Sequence, residues 1–112
     1  MLEKLEKINL SDAARAIGQL YVYDKVGRLN GHVLSVVNVE DRTLDFHVHE
    51  GSDELFYVIE GSFQLETEEE LIALNAGELI IVPKGKRHRP VVTELCRCLL
   101  IELEGTLDPT NH

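Results

Sequence analysis

The stretch HVHEGSDELFYVIEG, residues 47–61, is the most informative part of this sequence. Alternate residues of a β-strand project to one face, so His47 and His49 are predicted to lie side by side. The hydrophilic connection 50–53 favours a chain reversal, after which Glu54 begins the next strand. Two imidazoles beside a carboxylate can hold a metal cation, because the carboxylate supplies the charge that neutral imidazoles lack.

A second stretch, GELIIVPKGKRH, residues 77–88, ends in another histidine. It predicts a strand, a proline–glycine turn and His88 at the start of the returning strand. A β-fold can bring distant segments together, so His88 is expected to join the first site. The alternative is that the histidines are hydrogen-bonded polar residues without a metal.

Most of the chain after Gly18 predicts β-structure. The runs rich in Val, Ile, Leu, Phe and Tyr predict about nine short strands, at 20–26, 31–40, 43–49, 54–60, 62–67, 70–74, 78–82, 88–94 and 95–103. Many short strands with regular turns are typical of a sandwich or a barrel. Residues 105–112 lose the apolar pattern and are expected to form an extended tail.

Helix signals occur only near the N-terminus. Leu2, Leu5 and Ile8 recur every three residues, and Ser11 begins a segment that looks like a short capped turn ending at Gly18.

Composition limits the class of protein. A chain of 112 residues with 44% hydrophobic residues can bury the core of one domain. Its formal net charge of −9 disfavours nucleic acid and anionic membranes as partners. The longest apolar run, 55–59, is far shorter than a bilayer span, and no signal-peptide pattern is present, so a cytoplasmic location is expected.

The two cysteines, Cys96 and Cys98, share one face of a predicted strand. Their Cα atoms would lie about 6.5–7 Å apart, at the limit for a disulfide, so free thiols are expected. They are either apolar fillers of the core, which we favour, or thiols near a metal cavity.

The first stretch resembles the first motif of the cupin superfamily, which spans about 41–61 here. That motif is a glycine, five residues, His-x-His, three or four residues, a glutamate, six residues and a glycine. The positions that fit are His47, His49, Glu54 and Gly61, and Asp41 stands where the family has its first glycine.

The second stretch resembles the second cupin motif, over about 77–92. The positions that fit are Gly77, Pro83, Gly85 and His88, and Val92 stands where the family has an asparagine. The chain looks most like small single-domain bacterial cupins that are labelled as similar to mannose-6-phosphate isomerase. Beyond the histidines and the glutamate of the two motifs, no residue of this chain matches a sugar-phosphate site, so the isomerase reaction is not inferred from this likeness.

The resemblance implies an all-β fold, the cupin double-stranded β-helix or jelly-roll barrel, with a short N-terminal helical segment and residues 1–112 as one cupin domain. It implies one divalent transition metal, Fe, Mn, Ni, Zn, Co or Cu, on His47, His49, Glu54 and His88. It also suggests a homodimer, in which outward apolar residues of one strand would need cover. Those residues are Leu55, Tyr57 and Ile59.

The function expected from such a site is a metal-dependent enzyme acting on a small polar substrate, with isomerase or epimerase and oxygenase chemistry both compatible. Asp45 and Tyr23 are candidate acid or base residues. The alternatives are a non-catalytic module that binds a small ligand or metal, and a structural protein stabilised by metal.

Other polar residues near the motifs allow two interpretations. The basic group Lys84, Lys86, Arg87 and Arg89 either attracts an anionic substrate or forms a solvated turn. Arg89 should point away from the metal, and Phe56 could line a pocket. His32 and His112 match neither motif.

Overall fold

Two antiparallel sheets and one short helix form the structure, a computed structural model that describes residues 4–106. Helix α1 spans Leu10–Arg15. The strands within these residues are β1 (Asp24–Leu29), β2 (His32–Val39), β3 (Arg42–Thr43), β4 (Glu54–Glu60), β5 (Ser62–Thr67), β6 (Leu71–Asn75), β7 (Leu79–Val82), β8 (His88–Val92) and β9 (Cys96–Leu103). No helix in this part of the chain is long and apolar enough to cross a bilayer.

The strands are arranged in two facing sheets. One has the order β1-β2-β9-β4-β7 and the other β3-β8-β5-β6. The inner faces pack together, since the ring centroids of Phe56 on β4 and Phe63 on β5 are 5.8 Å apart. The predicted all-β jelly-roll fold is confirmed, although the two sheets do not join into a closed barrel within residues 4–106.

The alternation of β4 determines what faces the core. Glu54, Phe56 and Val58 are all buried, as their shared strand face predicted. Burying a side chain such as Phe56 contributes about 1.5–3 kcal/mol, so this register is strongly favoured over one shifted by a single residue. The same register places the carboxyl group of Glu54 inside the protein, where a charged group requires polar partners.

Helix α1 covers the outer face of the first sheet. Tyr57 and Ile59 of β4 pack there with the buried residues Ala14, Val36 and Leu99. Cover for these two outward residues therefore comes from the chain's own helix, and they do not argue for a second copy.

The helix begins and ends at different residues from those predicted. Its N-cap is Asn9, whose side-chain oxygen accepts a hydrogen bond from the amide of Asp12 at 2.9 Å. Ser11 is not the cap, because its hydroxyl donates instead to Glu60 on β4 at 2.5 Å. The helix ends at Arg15, before the predicted Gly18.

The three-residue recurrence before α1 does not form a helix. Leu5 is fully exposed and Ile8 is 45% exposed, so these residues do not form a continuous buried face, and short isolated helices are marginal in water. Leu2 lies outside the described residues.

Strand β1 begins later than predicted and continues through Gly27. The reason is the turn that follows it, because Asn30 and Gly31 both have left-handed φ, 48° and 82°, and connect Leu29 to His32 in two residues. The predicted strand at 20–26 was therefore placed too early.

The predicted strand at 43–49 is broken. Only Arg42–Thr43 forms β3, and pairing with β8 resumes at an isolated bridge between His47 and His88. The partner strand contains Pro90, which accepts from the amide of Leu44 but has no N–H to return a bond.

Two turn positions of the first motif have left-handed backbones. Asp41, at the position of the family's first glycine, has φ 47°, a conformation that aspartate tolerates better than most residues. Gly61 has φ 85°, and a Cβ atom there would lie 2.4 Å from the carbonyl oxygen of Leu95. Glycine is therefore required at position 61.

Candidate metal centre

The backbone itself joins the two motifs at His47 and His88. The amide of each residue donates to the carbonyl oxygen of the other, both at 3.0 Å. In an antiparallel pair of this kind the two side chains stand on the same face, and the two imidazole centroids are 4.6 Å apart.

His49 completes a cluster of three imidazoles. Its ring centroid is 4.8 Å from that of His47 and 5.6 Å from that of His88. One ring nitrogen from each histidine lies within 4.8 Å of the other two, so the cluster could hold a metal ion.

Glu54 reaches the same cluster from the opposite sheet. Its Oε1 atom is 3.3 Å from Nε2 of His88 and 3.9 Å from Nε2 of His49. The side chains of Glu54 and His88 are each only 1% exposed. The structure thus brings together all four residues predicted as ligands, with a carboxylate oxygen beside the imidazole nitrogens.

Two backbone carbonyl groups orient the imidazoles. Nδ1 of His47 lies 3.0 Å from the carbonyl oxygen of Asp45, and Nδ1 of His88 lies 2.8 Å from that of Lys86. Because a carbonyl oxygen only accepts, each Nδ1 carries the proton when neutral, and the lone pair is on Nε2. This is the tautomer that a ligand bound through Nε2 requires.

The Nε2 atoms of His47 and His88 are buried and have no hydrogen-bond partner among residues 4–106. Burial is also the main reason that the pKa of His47 is lowered, and the neighbouring His88 and His49 add to the effect. A buried nitrogen lone pair without a donor is the condition that a bound cation would relieve, so the donor set fits a metal.

Loop contacts hold the second motif against the first. The amide of Gly85 donates to the carbonyl of His49 at 2.8 Å, and the amide of Lys84 donates to the carboxylate of Asp53 at 2.9 Å. These bonds fix the loop that precedes His88 against the loop that precedes Glu54.

Comparison with known proteins agrees with this geometry. The model of the cupin domain family matches residues 33–102, more than half of the chain. The chain belongs to the cupin family. The matched segment contains both motifs and all four clustered residues.

Several proteins are similar to this cupin. An uncharacterized protein of Bacillus subtilis, YdbB, is 30% identical over 82 residues, covering 72% of each chain. The crystal structure of a cupin-2 domain protein from Shewanella frigidimarina has a TM-score of 0.81 at 32% identity, covering 87% of this chain and 94% of that one. Protein NMB1881 from Neisseria meningitidis has a TM-score of 0.77 at 28% identity, covering 88% and 100%.

The basic group beside His88 is neutralised by glutamates. Three of its residues form ion pairs, Lys86 with Glu69 at 3.5 Å, Arg87 with Glu68 at 2.9 Å and Arg89 with Glu66 at 2.8 Å. Arg89 points away from the cluster, as predicted, and its guanidinium lies 4.4 Å from the ring centroid of Phe46. The solvated-turn interpretation therefore fits these residues better than attraction of a substrate.

The remaining predicted candidates lie apart from the histidine cluster. Asp45 contributes its backbone carbonyl, while the residue is exposed. His32 begins β2 and pairs with Leu29 and Leu103. His112 lies outside the described residues.

The two cysteines are free and buried in the core, as expected. Their sulfur atoms are 3.4 Å apart. This hydrogen bond and burial raise the pKa of Cys98, so its thiol stays protonated at neutral pH. Cys98 also lines an internal cavity, but none of the four clustered residues lines it, so the core-packing interpretation of the cysteines is the one that the structure favours.

Sequence reasoning missed most of that cavity, although Phe56 lines it as predicted. It has a volume of about 40 Å³ and lies between the sheets, lined by Tyr21, Tyr23, Val37, Val39, Arg42, Leu44, Phe56, Phe63, Pro90, Val92, Cys98 and Leu100. The histidines are not part of its wall. Phe56 connects the two regions, because it lines the cavity and its ring centroid lies 6.4 Å from that of His88.

Proposed function

We propose that this cupin is a metal-dependent enzyme that acts on a small substrate, with the metal held by His47, His49, Glu54 and His88. The observation that carries the proposal is the pair of buried Nε2 atoms on His47 and His88, which have no hydrogen-bond partner within residues 4–106. The Nε2 atom of His88 also lies 3.3 Å from the carboxylate of Glu54. In a site without a metal, these buried nitrogens would destabilise the fold because they make no hydrogen bond.

The chemistry follows from the donor set. Three imidazole nitrogens and one carboxylate oxygen would leave two positions free on a six-coordinate metal. Such a metal would supply a Lewis acid or a redox centre. Glu54 brings the negative charge and, as a ligand, is not the base. The carbonyl groups of Asp45 and Lys86 keep the imidazoles in one orientation, and the apolar wall at Phe56 limits water near the cluster.

Isomerase or epimerase chemistry and oxygenase chemistry both remain compatible with this arrangement. Among the two predicted acid or base residues, Tyr23 is better placed, because it lines the cavity whereas Asp45 is exposed. Burial raises the pKa of Tyr23, so its hydroxyl stays protonated at neutral pH and would act as a hydrogen-bond donor to a substrate.

The second candidate function is a non-catalytic module that binds a small ligand. The almost wholly apolar lining of the cavity favours it, because such a wall provides affinity but few groups for proton transfer. Turnover of a candidate substrate would distinguish the enzyme from the module.

The first experiment is elemental analysis of anaerobically purified wild-type protein beside His88→Ala and the control His32→Ala. We expect about one transition metal per chain in the wild type and in His32→Ala, and a large loss in His88→Ala. Negligible metal in the wild type after reconstitution would refute the metal centre. A metal that stabilises the fold without turnover or ligand binding would instead support a structural role.

We also propose a cytoplasmic location and a homodimer. The free thiols of Cys96 and Cys98 support a reducing compartment. Exposed apolar residues on the edge strand β7, Leu79 and Ile81, support a contact with a second copy at that edge.

A further inference from the structure

One arginine differs from the others in this acidic protein. Five arginines form ion pairs with glutamates, and these are Arg15, Arg28, Arg87, Arg89 and Arg97. Arg42 forms no ion pair or side-chain hydrogen bond within residues 4–106. Arg42 is therefore a part-buried cation without an acidic partner among these residues, in a chain of net charge −9, and its guanidinium is available to bind an anion.

Arg42 lies at the wall of the internal cavity. Its neighbours there are mostly aliphatic and aromatic side chains, including Val39, Leu44 and Leu100. Arg42 and Tyr21 are part-exposed while Phe56 is buried, so Arg42 lies at the outer end of a cavity whose wall is almost wholly apolar.

Tyr21 holds the guanidinium of Arg42 in place. The guanidinium carbon of Arg42 lies 4.7 Å from the ring centroid of Tyr21. The hydroxyl of Tyr21 donates to the carbonyl of Glu40 at 3.0 Å, and its amide donates to the carbonyl of Asn38 at 2.9 Å. The platform is therefore anchored at both ends.

The backbone at this platform is unusual. Tyr21 has φ 59°, which is rare for an aromatic residue, and Asp41, directly before Arg42, has φ 47°. Left-handed conformations are uncommon for residues other than glycine and are concentrated at functional sites. Here they flank the one arginine that has no acidic partner in the described residues.

We propose that this cavity binds a small organic monocarboxylate, with the carboxylate on Arg42 and a short apolar chain directed toward Phe56. A guanidinium matches the two oxygens of a carboxylate in a bidentate pair. One water needs about 10–15 Å³ on the same measure of volume, so a cavity of about 40 Å³ holds a chain of a few carbon atoms.

The identification of this ligand as the substrate rests on the proposed function; the binding itself does not require the metal. The inner end of the cavity is Phe56, next to His88, so a carboxylate held by Arg42 would direct its far end toward the cluster. The substrate class is then a short-chain carboxylate whose reacting carbon lies away from the carboxyl group.

The test is calorimetric titration of acetate, butyrate and hexanoate, with butan-1-ol as the neutral probe, into chelator-treated and zinc-loaded protein. We expect butyrate to bind most tightly and to bind at least about tenfold more weakly to Arg42→Gln. The control Arg28→Gln removes an arginine that is already paired with Glu104 and should bind butyrate as the wild type does. Equal binding of butyrate to Arg42→Gln and wild type, equal binding of butan-1-ol and butyrate, or no binding would each overturn the proposal.

A second measurement needs no variant, in case Arg42→Gln does not fold. Butyrate should shift the Nε–Hε resonance of Arg42 and the methyl resonances of Leu44 and Leu100 in spectra of the wild type. Shifts confined to other residues would overturn the proposal. If butyrate binding depends on Arg42 but the wild type holds no metal, the proposed metal enzyme is wrong while the cavity assignment stands. If the wild type holds metal and butyrate does not bind, only the cavity assignment is wrong.

Discussion

Oε1 of Glu54 lies 3.3 Å from Nε2 of His88, with both side chains 1% exposed and each contributed by a different sheet. A carboxylate from β4 and an imidazole from β8 thus meet in the interior, where unsatisfied polar groups are expensive. This relationship links the metal centre to the packing of the two sheets.

Glu54→Gln should keep the shape of the side chain but remove its charge. We expect metal affinity to fall by at least about tenfold, since even outer partners of metal ligands commonly contribute 10–100-fold. Competition with a fluorescent chelator measures the change. Unaltered affinity would mean that this carboxylate is not a ligand.

Gly61→Ala should destabilise the fold by more than about 1 kcal/mol. The new Cβ would lie 2.4 Å from the backbone oxygen of Leu95, at a residue with φ 85°. Gly18→Ala is the matched control, because nothing lies within 4 Å of its Cβ position. Urea unfolding compares the two, and equal stabilities would contradict the close approach.

The contact between α1 and β4 should depend on pH. Hydrogen bonds from Arg15 and Ser11 lower the pKa of Glu60 from 4.5 to about 2. A carboxyl whose folded pKa is depressed contributes stability above its unfolded pKa and loses it as pH falls toward the folded value. We therefore expect this contribution to be complete above about pH 4.5 and to disappear toward pH 2.

Urea unfolding as a function of pH measures that contribution. Glu60→Gln and Arg15→Leu should both flatten the slope between these pH values, because each removes one half of the same interaction. A slope that persists in both variants would assign the acid sensitivity to another carboxylate.

The edge strand β7 should mediate self-association. Leu79 and Ile81 are 55% and 56% exposed, so a second chain could cover them. A lysine introduced at this edge would oppose pairing with another chain. We expect light scattering to give a dimer for the wild type and a monomer for Ile81→Lys. A monomeric wild type would remove the homodimer.

Much of this site could be predicted because its geometry is local. His47 and His49 are two residues apart, and the alternation of β4 directs Glu54 inward whatever the rest of the chain does. The turn that brings His88 back is encoded by Pro83 and Gly85, two residues apart in the sequence. Short-range rules therefore identified the four clustered residues.

The cavity could not be predicted in the same way. Tyr21 and Arg42 meet only because the turn at Tyr21 approaches strand β3, and no periodicity of the sequence expresses that contact. The break after β3 likewise depends on Pro90, a residue of the partner strand, and the cap at Asn9 prevailed because Ser11 is engaged by Glu60. These outcomes were decided by tertiary partners rather than by local propensity.

The reciprocal main-chain bonds between His47 and His88 would give the proposed metal centre a second role, in strand alignment. A shift of one residue in this pairing would turn one imidazole to the opposite face, although the strands could still associate. A metal bound there would add to the preference for the native alignment that burial of alternate β8 residues already provides, because the misaligned forms lack the full donor set. Metal uptake during refolding would therefore report that these strands have reached the native alignment.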